Sequence, residues 1–97
     1  MKVKKSPYTC QVLVCTKCRD KKNKSYSQGD IEEIKKRLKK GVKKNGWKGQ
    51  VRLSSTGCMG ICGDGPNVML YPQDIWFSRV TIDDIDTILD RVKKELR

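Results

Sequence analysis

The sequence predicts a single α/β domain, ordered β-α-β-β-β-α, with one mixed four-stranded sheet and two helices. Three observations carry this expectation. Short apolar runs bounded by turn residues mark strands, at Val12-Leu13-Val14, around Val51 and Leu53, and in two stretches between Asn67 and Val80. Apolar residues at steps of three and four mark two amphipathic helices, one before the second run and one at the C-terminal end. The chain has 97 residues, enough for one core with little to spare.

Residues 1–8, with Lys2, Lys4, Lys5 and Pro7, read as a flexible basic lead-in, and residues 9–97 as the domain itself. The first strand spans residues 9–14. Val12 and Val14 share one face and Leu13 takes the other, so both faces are apolar and the strand is predicted to be central. Residues 15–27 are polar and read as a loop. A helix is expected to begin near residues 27–30, because Ile31, Ile34, Leu38 and Val42 then form one stripe. Asp30, Glu32 and Glu33 lie in its first turn and Lys39, Lys40, Lys43 and Lys44 near its end, which complements the helix dipole. Asn45-Gly46 stops it, and Trp47 is expected to pack beside that end.

The second strand is read over residues 50–53, with Ser54-Ser55-Thr56-Gly57 as a polar lead into a glycine-rich turn. Helix one then crosses between parallel strands, for which a right-handed connection is expected. Residues 67–71 and 75–80 form a hairpin around Pro72-Gln73-Asp74. Thr81 and Asp84 have the spacing of a capping box. The last helix carries Ile82, Ile85, Leu89, Val92 and Leu96 on one stripe, flanked by Ile88.

The formal charge is +11 and sits in the first half of the chain. Residues 1–52 hold 17 Lys and Arg against four carboxylates, whereas residues 53–97 hold five against seven. The outward face of helix one (Lys35, Lys36, Arg37, Lys39, Lys40, Lys43) concentrates it. Such a face serves solubility, or it speeds encounter with an acidic partner such as a redox protein. No aromatic residues interleave with these lysines and no nucleic-acid motif is present, so nucleic acid is not the expected partner. No apolar stretch reaches the ~20 residues of a membrane span, and the first residues do not read as a signal peptide. The expected compartment is the cytoplasm. A homodimer is compatible with the sequence, which does not fix an oligomeric state.

The five cysteines carry the chemistry. In a reducing compartment clustered cysteines point to metal or redox sites rather than structural disulfides. Cys15-Thr16-Lys17-Cys18 follows the first strand, and Cys58-Met59-Gly60-Ile61-Cys62 follows the second. Paired strands would bring the two loops together, and four thiolates there suit a tetrahedral zinc or a two-iron cluster. The wider second spacing favours iron-sulfur over a zinc ribbon. Cys10 is left out, because five strand residues at ~3.3 Å place it roughly 16 Å from Cys15 and on the opposite face. It is expected to be a small half-buried apolar residue.

Two other readings of the cysteines stay open at this point. Cys15 and Cys18 could form a thiol-disulfide pair, although such a pair should open a helix and this one precedes a polar loop. The chain could also be a zinc-bound or metal-free interaction module with a basic surface. There is no histidine, and no nucleophile-base pair or carboxylate dyad, so hydrolytic catalysis has no support. An electron-transfer protein rather than an enzyme is expected.

The run from Thr56 to Pro72, which includes Gly57-Cys58-Met59-Gly60-Ile61-Cys62-Gly63-Asp64-Gly65-Pro66-Asn67, resembles the thioredoxin-like 2Fe-2S ferredoxins. The likeness continues through Ile75-Trp76-Phe77-Ser78-Arg79-Val80 and the Asp-rich helix start. Related domains include the cluster-bearing small subunit of respiratory NADH dehydrogenase. The resemblance implies a thioredoxin-like fold, a 2Fe-2S cluster held in two loops at one end, and one-electron transfer. It implies Cys15 as first ligand and Cys58 and Cys62 as third and fourth. Cys18, closer to Cys15 than the family's usual spacing, is assigned as the second because it is the other cysteine of that loop. A cluster with four thiolates is anionic, so Lys17, Arg19, Lys21 and Lys22 would favour its reduced state. Amides of the glycine-rich turn could donate to sulfur while Met59 and Ile61 exclude water.

Overall fold

The computed structural model describes residues 1–15, 28–56 and 66–96. Its elements are β1 (Cys10–Cys15), α1 (Gln28–Lys44), β2 (Val51–Thr56), β3 (Val68–Tyr71), β4 (Ile75–Phe77) and α2 (Ile85–Glu95), with a 3-10 turn at Ile82–Asp84 leading into α2. The strands form one sheet in the order β2-β1-β3-β4. β1 runs parallel to β2 and antiparallel to β3, and β3 and β4 form the antiparallel hairpin. The expected mixed four-stranded sheet with two helices is therefore present, and β1 is central.

The core lies on one face of this sheet. Cys10, Val12 and Val14 of β1 and Val68 and Leu70 of β3 are buried against Ile34, Leu38 and Val42 of α1 and Ile85, Ile88 and Val92 of α2. Alternation along β1 gives this face its apolar side chains, while Gln11 and Leu13 turn to the other. On that other face Leu13 stands opposite Met69, and Met69 opposite Trp76. Truncating a buried leucine such as Leu38 to alanine would cost ~2–5 kcal/mol.

Both helices end as their sequences require. At the end of α1 the Asn45 amide and its side-chain Nδ2 both donate to the Gly41 carbonyl, and Gly46 takes a φ of 71°. Trp47 then folds back, its amide donating to the Val42 carbonyl, and packs on the core as expected. The Thr81–Asp84 cap also forms. Asp84 Oδ2 accepts from the Thr81 amide at 2.8 Å and from Thr81 Oγ1 at 3.1 Å.

Three boundaries differ from expectation by more than one residue, for physical reasons. β2 runs on to Thr56 rather than ending at Leu53, because the ladder with β1 is made of backbone groups and continues as far as Cys15 opposite Thr56. β4 stops at Phe77 because Arg79 takes a φ of 52°, which no strand tolerates, while Val80 is still buried and its amide donates to the Pro66 carbonyl. The last helix opens with the 3-10 turn, where the cap draws the chain into a tighter first winding.

Candidate functional site

Three chain crossings meet at one end of the sheet. Cys15 ends β1, Thr56 ends β2 directly beside it, and the chain returns to β3 at Pro66-Asn67 on its other side. The Cys15 amide donates to the Asn67 carbonyl at 3.1 Å, and Thr56 Oγ1 donates to the Val14 carbonyl at 3.5 Å. Cys15 itself is fully buried. The segments holding both cysteine pairs thus leave from neighbouring strands at the same edge. Of the four predicted ligands, only Cys15 is among the described residues; Cys18, Cys58 and Cys62 lie outside them. No group of three or more possible metal ligands occurs among the described residues.

Cys10 stands at the far end of β1, opposite Val51, with its side chain in the core beneath the helices. It is completely rather than half buried. Burial, and secondly the charge of Glu95, push its thiol up to about 11. A thiol so held is neutral at physiological pH, and metals bind the thiolate.

Asn67 was not singled out from the sequence. It is the polar side chain buried among the described residues, and Trp76 Nε1 donates to its Oδ1 at 3.1 Å. Its position directly after the Gly65-Pro66 of the cysteine-rich segment was the available signal, but a lone polar residue has no periodicity to reveal its burial.

A sequence model described as the thioredoxin-like [2Fe-2S] ferredoxin matches residues 2–93. The chain belongs to the thioredoxin-like [2Fe-2S] ferredoxin family. A 2Fe-2S ferredoxin of Clostridium pasteurianum is 32% identical over 82 residues, covering 81% of this chain and 79% of that protein. The crystal structure of the wild-type thioredoxin-like [2Fe-2S] ferredoxin from Aquifex aeolicus superposes with a TM-score of 0.74 at 25% identity, covering 91% of this chain and 88% of that one. A further structure of the Aquifex ferredoxin gives a TM-score of 0.74 at 26% identity, over 90% and 82% of the two chains. The family resemblance and thioredoxin-like fold expected from the sequence hold, and the family's cofactor is a [2Fe-2S] cluster. Its members are ferredoxins, which are electron carriers.

Proposed function

We propose that this ferredoxin is a one-electron carrier whose cluster is held by Cys15, Cys18, Cys58 and Cys62. The observation that carries the ligand set is the register at the sheet end, where Cys15 stands beside Thr56. Adjacent strands lie ~4.8 Å apart, and the two residues from Thr56 to Cys58 span at most ~7 Å. Cys18 is tethered to Cys15 by three residues, and Cys62 precedes the return at Pro66-Asn67 by four to five. Chain length thus lets all four sulfurs reach one strand end, and four thiolates are the donor set a two-iron cluster takes. When bound, the cluster supplies a site that accepts and releases one electron.

The protein's own part is to bury and orient. The Cys15 amide is fixed by its bond to the Asn67 carbonyl, which anchors the last residue of β1. A thiol-disulfide role for Cys15 and Cys18 would call for a helix that opens at the pair, whereas the first helix among the described residues begins at Gln28, ten residues beyond Cys18. The domain of residues 9–97 is the functional unit and residues 1–8 its flexible basic lead-in. We place it in the cytoplasm as a component of an oxidoreductase system, with an acidic redox protein as partner. No helix among the described residues is long and apolar enough to cross a membrane.

The basic face supports the choice of partner. Lys36, Arg37, Lys39, Lys40, Lys43 and Lys44 are exposed along α1. Between α1 and β2 lies a groove of about 360 Å³, where Lys39, Lys43, Lys48 and Arg52 surround Val42, Val51 and Leu53. This combination of cations with an apolar floor suits an acidic protein surface. The test of the ligand set is iron and sulfide analysis of five single Cys→Ala variants. Cys15→Ala, Cys18→Ala, Cys58→Ala and Cys62→Ala should each lose the cluster, and Cys10→Ala should keep it. A variant at Cys18 with a full and stable cluster would remove it from the set.

A further inference from the structure

We propose that the outer edge of β2 takes an added strand from the acidic partner, an extended segment whose groove-facing side chains are carboxylates around an apolar residue. This deepens the acidic-partner reading above, on which it rests, by naming the backbone that holds the partner.

β2 lies at one edge of the sheet and β4 at the other. β4 has three residues, and the φ of 52° at Arg79 stops it, which blunts that edge. β2 has six residues and pairs with β1 without interruption from Val51 to Thr56. The Cys10 amide donates to the Gln50 carbonyl at 3.1 Å, so Gln50, Arg52 and Ser54 turn their backbone groups toward β1. Those of Val51, Leu53 and Ser55 face outward. The Val51 amide is taken by the Trp47 carbonyl at 2.8 Å, whereas the amides and carbonyls of Leu53 and Ser55 meet no partner among the described residues. Each of these two residues offers one donor and one acceptor, as strand addition requires.

The groove beside this edge sets the chemistry of the added strand. Its lining holds Lys39, Lys43, Lys48 and Arg52 and no carboxylate, and none of the four is ion-paired among the described residues. Alternate side chains of an added strand fall on the side of Val51 and Leu53, over the apolar floor. An apolar side chain there covers the floor, and carboxylates beside it meet the cations. A second copy of this chain is the wrong occupant, because pairing two β2 edges sets the four cations of each against the other. The position also suits electron transfer. β2 ends at Thr56 beside Cys15, so a strand held at Leu53 and Ser55 lies ~3–10 Å along the chain from that end.

The experiment titrates the intact isotope-labelled protein with a capped peptide, Thr-Glu-Thr-Val-Thr-Glu-Thr, by NMR. The Leu53 and Ser55 amide signals should shift and exchange more slowly on binding. Two further peptides are N-methylated, one at every Glu and Val and the other at every Thr, so that each loses the donors of one edge. One should bind more weakly by about fivefold per lost bond and the other as the parent does. Equal affinity of all three would overturn strand addition while leaving the acidic-partner reading in place. A peptide with Gln for Glu should bind about tenfold more weakly at low salt. If it binds as tightly as the parent, the acidic-partner reading fails with the inference. Ser55 is exposed, and Ser55→Pro removes its outward donor without touching the ladder to β1, so it should weaken the parent peptide about fivefold. An unchanged affinity would overturn the inference, and if this variant fails to fold the methylated peptides decide. Absence of binding by any peptide, or protection of the Ser55 amide that grows with protein concentration and marks a second copy on the edge, would also overturn it.

Discussion

The substitution Cys10→Ala separates the core cysteine from the cluster ligands, and its effect should change sign with pH. The side chain is fully buried beneath α1 and α2, so losing the sulfur opens a small void and costs ~1 kcal/mol at neutral pH. At alkaline pH a second effect opposes the first. Burial, helped by Glu95, moves the Cys10 thiol from 9.0 to about 11 in the folded protein. Below pH 9 the thiol is protonated in both states and contributes nothing. Between 9 and 11 the unfolded chain ionises while the folded one does not, so the unfolded state binds fewer protons and stability falls as pH rises. A displacement of about two pH units at 1.36 kcal/mol each is on the order of 2–3 kcal/mol, reached above pH 11. The alanine variant has no such group. Its stability curve should lie below that of the wild type at pH 7 and cross it near pH ~10. Denaturant unfolding of both metal-free proteins from pH 7 upward measures this, with every other titrating group common to the pair. Parallel curves would refute the buried, neutral thiol, and a folded Cys10→Ala protein that no longer holds iron would refute its exclusion from the site.

Other consequences follow from the helices and the charged face. An ideal Cβ at Gly41 would lie 2.5 Å from Leu89 Cδ1 and 3.0 Å from Cδ2, so Gly41→Ala should destabilise by ~1 kcal/mol net, packing strain of ~1–3 outweighing the ~1 gained in helix propensity. A melting temperature above that of the wild type would show that Leu89 yields freely. Asp84→Ala removes both bonds to Thr81 and should cost ~0.5–2 kcal/mol of stability without altering the cluster's absorption spectrum. Replacing Lys39 and Lys43 together by Glu should slow electron transfer to an acidic acceptor protein roughly tenfold or more at low salt, and added salt should narrow the gap. Stopped-flow rates equal in wild type and variant would separate the basic groove from docking.

What the sequence disclosed depended on which physical signal each feature leaves. α1 was legible at both ends because its apolar stripe, its charge gradient and Asn45-Gly46 agree, and the structure ends it at Lys44. The sheet was legible as a set of strands, since Val12, Val14, Val68 and Leu70 alternate as half-core strands do. The extension of β2 through Ser54-Ser55-Thr56 was not, because backbone pairing is indifferent to those polar side chains. Val80 misled in the opposite way: it belongs to the core without belonging to β4. At the site, the register that puts Cys15 beside Thr56 gives the two cysteine pairs a common origin that spacing could only suggest. Cys18, Cys58 and Cys62 remain assigned by spacing and family. Asn67 was hidden because its burial goes with a bond from an indole nine residues away.

The most direct test of the central claim is an electron paramagnetic resonance spectrum of anaerobically purified protein before and after dithionite, with iron, sulfide and zinc measured on the same sample. Two irons and two sulfides per chain, no signal when oxidised and a rhombic signal when reduced are the expected results. Protein that stays colourless and iron-free after cluster reconstitution, or that holds one zinc in place of iron, would contradict the assignment.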